Sequence, residues 1–279
     1  MTTVSRLLQR ASALQNTSDT AQLDCEILLC HLLAVDRSWL RTWPDAQVSP
    51  QQVEQFEVLL ESRIQGTPIA HLIGSRGFWT LDLKVTPDTL IPRPETEHLV
   101  EKALALHLPA NSHVLDLGTG TGAIALALAT ERPDWQLTAV DCQPEVLAVA
   151  RHNCQRHQLT NVEITESNWF STLATQSAKF DLIVSNPPYI HSDDPHLQQG
   201  DLRFEPIAAL VSGVEGLEDL RTIVDQSRDY LNPKGWLLVE HGYQQGPAVR
   251  ELFTAAGFTE VSTQRDYNQL DRITFGQWL

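Results

Sequence analysis

The sequence predicts an α/β protein: a doubly wound, mostly parallel sheet of seven strands, preceded by a small N-terminal helical bundle and a hairpin linker. Three observations predict it. Residues 1 to about 74 carry apolar positions at helical spacing, residues 77–92 shift to strand-like alternation, and from residue 112 apolar strands alternate with helical segments. Strands separated by helical crossovers run parallel and are covered on both faces.

In the first segment Val4, Leu7, Leu8, Ala11 and Leu14 share one helical face. A second helix, beginning near Asp19, carries Leu23, Ile27, Leu28, Leu32 and Leu33. Ser49-Pro50-Gln51-Gln52 opens a third as a capping box with proline at the first helical position. Val53, Phe56, Leu59, Leu60 and Ile64 continue that face, and Gly66 is the expected stop. The bundle contains no catalytic constellation. In the linker, Phe78, Leu81, Leu83 and Val85 predict strands and Pro87-Asp88 a turn. The expected divisions are a helical domain over 1–74, a hairpin linker over 75–92 and an α/β domain over 93–279.

Within that last domain, strands are predicted at His113–Leu117, Leu137–Asp141, Val162–Thr165, Asp181–Ser185 and Trp236–His241. Helices are predicted at Gly122–Thr130, Pro144–His157 and Leu217–Leu231. Thr259–Gln264 and Arg272–Gly276 complete the seven strands as an antiparallel pair at the sheet edge.

Bulk properties narrow the function. With 279 residues and a formal net charge of −15, the chain is a poor candidate for a non-specific binder of nucleic acid or anionic membrane. It has no run of roughly 18 apolar residues and no signal-peptide core, so a cytoplasmic protein is expected. Cys25, Cys30, Cys142 and Cys154 form no CxxC pair, and the histidines form no HExxH, so no metal is expected.

The first sheet strand ends in VLDLGTGTGAIALALA. Gly118, Gly120 and Gly122, with Thr119 and Thr121 between them, let the backbone turn sharply and approach a ligand at a helix start. Asp141 ends the next strand about twenty residues on, where an acid can accept both ribose hydroxyls. Gly118 to Ala123 also fits a dinucleotide fingerprint. Asp116, just before the loop, favours S-adenosylmethionine, because a carboxylate there can sit near a sulfonium or order the loop, whereas it would repel a pyrophosphate. After the third strand, Asn168 can hydrogen-bond an adenine edge while Trp169 stacks on its face.

Ser185-Asn186-Pro187-Pro188-Tyr189-Ile190 follows the fourth strand, and its prolines cannot continue a sheet. The Asn186 side-chain oxygen and the Pro187 carbonyl can hold an NH2 group by two acceptors, with its nitrogen aimed at a methyl donor. Tyr189 offers a face to a flat group. No general base is required, because the product can lose its proton after transfer. This chemistry predicts N-methylation of a planar NH2: adenine, cytosine, guanine or a glutamine side chain.

The whole chain resembles the bacterial peptide chain release factor glutamine N5-methyltransferases. The resemblance spans the helical bundle, Gly66-Thr67-Pro68-Ile69-Ala70-His71, Leu90-Ile91-Pro92-Arg93-Pro94-Glu95-Thr96-Glu97, the glycine loop, Asn186 to Tyr189, and Arg203-Phe204-Glu205-Pro206. It implies an S-adenosylmethionine-dependent enzyme that methylates the glutamine of the Gly-Gly-Gln loop of class 1 release factors and so modulates translation termination. Cofactor contacts are implied at Gly118 to Gly122, Asp141, Asn168, Trp169 and Asn186. Asn186, Pro187 and Tyr189 would be catalytic, and those three with Pro188, Arg93 and Glu95 would contact the substrate glutamine. Residues 1–92 would help to grip the release factor, and the enzyme would act as a monomer with neither membrane nor nucleic acid as partner. Many relatives carry Asp where this chain has Asn168, whose oxygen can still accept from the adenine amino group. Glu240, ending the fifth strand, serves either the site or the structure alone. Two rival activities, methylation of a ribosomal-protein glutamine and of nucleic-acid amino groups, share the tetrapeptide. A nicotinamide-dependent dehydrogenase is disfavoured because nothing resembles a hydride-transfer acid/base set. A non-catalytic docking module is disfavoured by the intact Gly118, Asp141 and Asn186.

Overall fold

A computed structural model describes residues 2–173 and 179–279. The chain divides into two compact units, Met1–Ser75 with His196–Phe204, and Arg76–Pro195 with Glu205–Leu279. His196–Phe204, placed by the sequence reading in the α/β domain, thus belongs to the helical unit.

In the helical unit, α1 (Val4–Leu8) runs on as a 3-10 turn, Gln9–Leu14, before α2 (Ala21–Leu33), α3 (Arg37–Thr42), α4 (Pro50–Ile64) and α5 (Ile69–Ile73). Two short strands, β1 (Thr2–Thr3) and β2 (Gln47–Val48), pair antiparallel. The capping box at the start of α4 forms as its sequence predicts, with the Ser49 side chain accepting from the Gln52 amide and the Gln52 side chain from the Ser49 amide. Val4, Leu7, Leu14, Leu28, Leu29, Phe56 and Leu60 make a common core. Beneath it, Arg63 Nε donates to Asp24 Oδ2 at 2.7 Å, and Arg63 Nη1 reaches Asp201 Oδ1 at 3.4 Å. That second contact and the bond from Arg203 Nη2 to Gln65 O (3.1 Å) tie 196–204 into the unit.

The second unit begins with the hairpin β3 (Ser75–Phe78) and β4 (Leu81–Lys84) and with α6 (Glu97–Ala105). Strand β5 (His113–Leu117), α7 (Ala123–Glu131), β6 (Gln136–Asp141), α8 (Pro144–Arg156), β7 (Val162–Glu166) and β8 (Phe180–Ser185) follow. Helix α9 (Glu218–Ser227), β9 (Leu231–Glu240), α10 (Gly246–Ala255), β10 (Thr259–Arg265) and β11 (Asp271–Gln277) complete it. The seven-stranded order is β10-β11-β9-β8-β5-β6-β7, with β5 to β9 parallel and β11 antiparallel to both β9 and β10.

Strand residues alternate between two cores, as a sheet covered on both faces requires. Val114, Leu182, Val184 and Leu238 join Leu99, Val100 and Ala103 of α6 and the apolar residues of α7. Leu115, Leu117, Ile183, Leu237 and Val239 face Leu220, Ile223 and Val224 of α9 and Val249 and Phe253 of α10. Successive connections from β5 run to β6 and β7 on one side, and β8 and β9 lie on the other. The order therefore reverses between β5 and β8, and at such a switch point the loops after the strands part to form a crevice.

Two boundaries differ from the sequence reading. The helix expected over Leu217–Leu231 ends at Ser227, because Leu231 already pairs with Phe180 in the sheet. The strand runs from Leu231 through Pro233 and Gly235 by way of a bulge with Lys234 at φ +70°, so turn-forming residues here mark a bulge instead of a loop. Helix α10 was not expected at all, although Val249 and Phe253 keep an i, i+4 spacing toward the core. Among the described residues no helix is long and apolar enough to cross a membrane.

Candidate functional site

The carboxyl ends of β5, β6, β7 and β8 open on a cavity of about 240 Å3. Its lining includes Gly118 to Thr121, Asp141, Asn168, Trp169, Asn186, Pro188 and Arg93, which are sequence-predicted site residues. Gly122, Pro187, Tyr189 and Glu95 stand outside the lining. Glu95 lies in a 3-10 turn, Pro94–Thr96, and Gly122 sits at the N-cap of α7.

Gly118, Gly120 and Gly122 all take positive φ, at +68°, +57° and +87°. A side chain at Gly120 would meet nothing within 4 Å, so that residue turns bare backbone toward open space. A Cβ at Gly118 would stand 3.3 Å from the Trp169 indole, which lies over the loop. The loop is held by two acids. Asp116, fully buried, accepts at Oδ2 from the Thr119 hydroxyl (2.6 Å) and from the Ala125 amide in the first turn of α7 (3.3 Å). Asp141 accepts at Oδ2 from the Gly120 amide (3.1 Å) and at Oδ1 from the Gln143 amide (3.2 Å). Each Asp141 oxygen keeps lone-pair capacity beyond these single bonds.

Asp116 does not line the cavity, and of the two roles open to it from sequence it performs the ordering of the loop. Its Oδ1 is buried without a partner, and burial pushes its carboxyl up to about 7 against the two donors that favour the charged form. The unfolded chain releases that proton near pH 4, so between pH 4 and 7 the folded state binds more protons and this group's contribution to stability falls as pH rises. Asp116→Asn mimics the neutral acid. We expect urea midpoints measured from pH 4.5 to 7.5 to fall less steeply with pH in this variant than in the wild type.

Strand β8 ends at Ser185, whose buried hydroxyl donates to Leu117 O at 2.8 Å and locks the two strand ends together. Asn186 follows, half-buried, with Nδ2 donating to Thr96 Oγ1 at 3.1 Å. Beyond the prolines the chain is pinned again: the Tyr189 and Ile190 amides both donate to Leu210 O, at 3.2 and 2.8 Å, and Gln245 Nε2 donates to Tyr189 O at 3.0 Å. Burial pushes the Tyr189 hydroxyl above its ordinary value, and that hydroxyl makes a long 3.4 Å contact with Glu240 Oε1.

Gly216 packs against this segment at φ +70°, and a Cβ there would come within 2.6 Å of the Tyr189 carbonyl oxygen. Gly216→Ala is expected to cost roughly 1–3 kcal/mol, because backbone strain and a backbone clash coincide. A urea titration checks the cost. Loss below 0.5 kcal/mol would show that the Tyr189 peptide can shift freely.

Arg93 lines the cavity and forms a short ion pair with Glu205, whose side chain is fully buried. Glu205 Oε2 also accepts from the Ile91 amide at 3.0 Å, so one carboxylate fixes the segment that carries Thr96. The sequence reading identified the motif segments but not Thr96 as a site residue. It also missed Cys142 and Gln143, which line the cavity directly after Asp141. Their place after a parallel strand was the available signal.

The donor set fits an adenosyl sulfonium cofactor. Bare glycine backbone, the Asp141 carboxylate, the Trp169 ring and walls that include Leu90, Pro92, Ile124 and Val146 suit a nucleoside that carries one positive charge.

Residues 97–200 match the family model described as methyltransferase small domain, and residues 6–74 match that of the PrmC N-terminal domain. A Pseudomonas aeruginosa protein named release factor glutamine methyltransferase is 52% identical over 278 residues, covering 100% of this chain and 99% of the relative. The Escherichia coli K12 protein of the same name is 49% identical, covering 97% of each chain. Among solved structures, a methyltransferase from Pyrococcus furiosus superposes with a TM-score of 0.55 at 20% identity, covering 78% of this chain and 96% of that one, a likeness of fold. With relatives at half identity along nearly the whole sequence, the chain belongs to the release factor glutamine methyltransferase family.

Proposed function

We propose that this enzyme methylates the side-chain amide nitrogen of the glutamine in the Gly-Gly-Gln loop of class 1 release factors, with S-adenosylmethionine as donor. The observation that carries the reading is the placement of Asn186 and Pro188 in the same cavity as the glycine loop and Asp141. S-adenosylmethionine supplies a methyl carbon on a positively charged sulfur: the amide nitrogen forms a bond to that carbon, the carbon–sulfur electron pair stays on sulfur, and the product amide loses one proton to water.

The chain's own residues then have to bind, orient and exclude. Asp141 accepts ribose hydroxyls, Gly118 to Gly122 give backbone close approach, and Trp169 stacks on adenine while Asn168 accepts from its amino group. Asn186 Oδ1 and the Pro187 carbonyl accept the two N–H bonds of the substrate amide. Tyr189 and Pro188 flank its plane, and Arg93 and Glu95 border the approach. An amide lone pair is delocalised, so a fixed geometry is the main lever available. The helical unit contributes to recognition of the release factor. The enzyme acts in the cytoplasm as a monomer, on protein and not on nucleic acid.

Incubation with labelled S-adenosylmethionine and purified release factor tests the reading. Label is expected in the loop glutamine and nowhere in a Gly-Gly-Ala substrate; equal labelling of both would overturn it. Asp141→Ala is expected to weaken cofactor binding about 10- to 100-fold, the loss of charge-assisted hydrogen bonds. Calorimetry reads this directly, and an unchanged affinity would refute the ribose role.

A further inference from the structure

Trp169 stands in a backbone conformation that its side chain disfavours. Among the residues lining the cavity it alone, glycines apart, has a positive φ, at +49°. Bulky side chains clash with the backbone in that region. Asn168 to Ser171 form a tight turn, closed by the Ser171 amide donating to Asn168 O at 3.0 Å. A positive φ at the second residue of such a turn ordinarily calls for glycine. Strain of this kind persists only where the surroundings enforce it. Packing against the core beneath α9 supports the indole but does not set its backbone angle, and Trp169 also borders a second cavity with Thr222, Gln226 and Tyr230. The backbone needs a separate restraint.

Ser167 supplies it. This residue follows β7 directly, lines the same cavity and is buried. Its hydroxyl donates to the Trp169 carbonyl at 2.7 Å, and its Oγ accepts from the Thr172 amide at 3.2 Å. A carbonyl can only accept and a backbone N–H can only donate, so the direction of both bonds is fixed. The other side-chain bonds of the turn run from the Asn168 amide to Ser171 Oγ and from Thr172 Oγ1 to Glu166 O, and neither touches Trp169. The Ser167 amide donates in turn to Asp141 O at 3.0 Å. One serine therefore joins the strand end that carries Asp141 to the residue that carries the indole. That ring reaches back over the glycine loop, where a Cβ on Gly118 would stand 3.3 Å from it.

On the reading that Trp169 stacks on the adenine of the methyl donor, we propose that Ser167 is a positioning residue for that ring. Its hydroxyl holds Trp169 in the left-handed backbone conformation and so keeps the indole over the glycine loop before the donor arrives. Such preorganisation lowers the ordering cost of binding. The effect belongs to the adenosine half of the donor. S-adenosylmethionine and S-adenosylhomocysteine share that half and differ at sulfur. Loss of the Ser167 hydroxyl should therefore weaken both to the same degree and leave the chemical step alone.

The test uses the full-length protein with Ser167→Ala, Trp169→Ala and the two combined. By calorimetry, Trp169→Ala should weaken both S-adenosyl compounds about 10- to 100-fold, the scale of one lost base–aromatic stack. Ser167→Ala should weaken both about 5- to 20-fold, a part of that stacking effect. Its kcat at saturating donor should stay within about twofold of wild type, so that the loss falls on the Michaelis constant. The double variant should bind no worse than Trp169→Ala, because a residue that acts through the ring has nothing to act on once the ring is gone. NMR of the donor-free protein gives a readout independent of binding. The Trp169 indole N–H cross-peak, assigned by its disappearance in Trp169→Phe, should be sharp in the wild type and shifted and broadened in Ser167→Ala. Additive losses in the double variant, unequal losses for the two compounds, or wild-type affinity with an unchanged indole cross-peak in Ser167→Ala would overturn the proposal. If Ser167→Ala fails to fold, Ser167→Cys takes its place, since a thiol keeps the shape and is only a weak donor. Wild-type affinity and an unchanged cross-peak in that variant would overturn the proposal equally. Wild-type donor affinity in Trp169→Ala would sink the reading that the ring meets adenine, while the indole cross-peak would still decide whether Ser167 holds Trp169.

Discussion

Asn186→Ala is expected to lower kcat by about 10²–10³-fold, as loss of one preorganised polar contact at a reacting group does. The enzyme should otherwise remain intact. Asn186 is half-buried, and its side chain bonds Thr96 Oγ1 at 3.1 Å. Its neighbour Ser185 continues to lock β8 to β5, and the Tyr189 and Ile190 amides continue to hold the far side of the prolines. Folding should thus be unaffected within about 1 kcal/mol, the usual cost outside a well-packed core. Asp141 and the glycine loop are untouched, so calorimetric affinity for S-adenosylmethionine should fall by no more than a few-fold. Single-turnover rates at saturating release factor isolate the chemical step. A rate within threefold of wild type would show that Asn186 is not the acceptor.

What the sequence revealed and what it hid differ for physical reasons. Strands β5 to β8 were legible because each is a short apolar run between turn residues, and their alternation with helices implied a parallel sheet. Asp141 and Asn186 were legible because residues at the ends of parallel strands face the ligand crevice. The bulge in β9 was hidden because Asn232-Pro233-Lys234-Gly235 carries every local mark of a turn, and only pairing of Leu231 with Phe180 shows that the sheet has already resumed. Local signals cannot report a contact 51 residues away.

The same limit applies inside the site. Thr96 was read as part of a motif, yet its oxygen meets the Asn186 amide, 90 positions further along the chain. Nothing in a local window links them. Asp116 was legible as an acid beside the glycine loop, but whether it met the ligand or the loop depended on the direction of its side chain. In the sheet it stands on the Val114 face, toward α7, which is why it bonds Thr119 and Ala125 instead of lining the cavity. Segment 196–204 was assigned to the α/β domain on chain order alone, whereas it packs with the helical unit, where Asp201 meets Arg63 and Arg203 bonds Gln65 O.

That ion-pair cluster gives the largest expected stability effect. Arg63 and Asp24 have side chains only 10% and 6% exposed and meet at 2.7 Å. Asp24 also accepts from the Ser18 and Thr20 hydroxyls, at 2.8 and 2.9 Å, and Arg63 Nη1 donates to the Gly66 and Thr67 carbonyls. Both Asp24 oxygens and two of the three Arg63 nitrogens are therefore engaged before either partner is removed. Asp24→Leu leaves a guanidinium buried without its main counter-charge, and Arg63→Met leaves a carboxylate in the same condition. Each is expected to cost about 3–5 kcal/mol. The double variant should recover much of that, because it buries two apolar side chains and no charge. Arg63→Met has a further consequence, since it also releases Asp201 and the Gly66–Thr67 turn, so it should be the costlier of the two. Urea unfolding of the full chain, followed by circular dichroism and by tryptophan fluorescence, measures all three variants. Single costs below 1 kcal/mol, or a double variant as unstable as the sum of the singles, would mean that the pair is not the buried anchor of the helical unit.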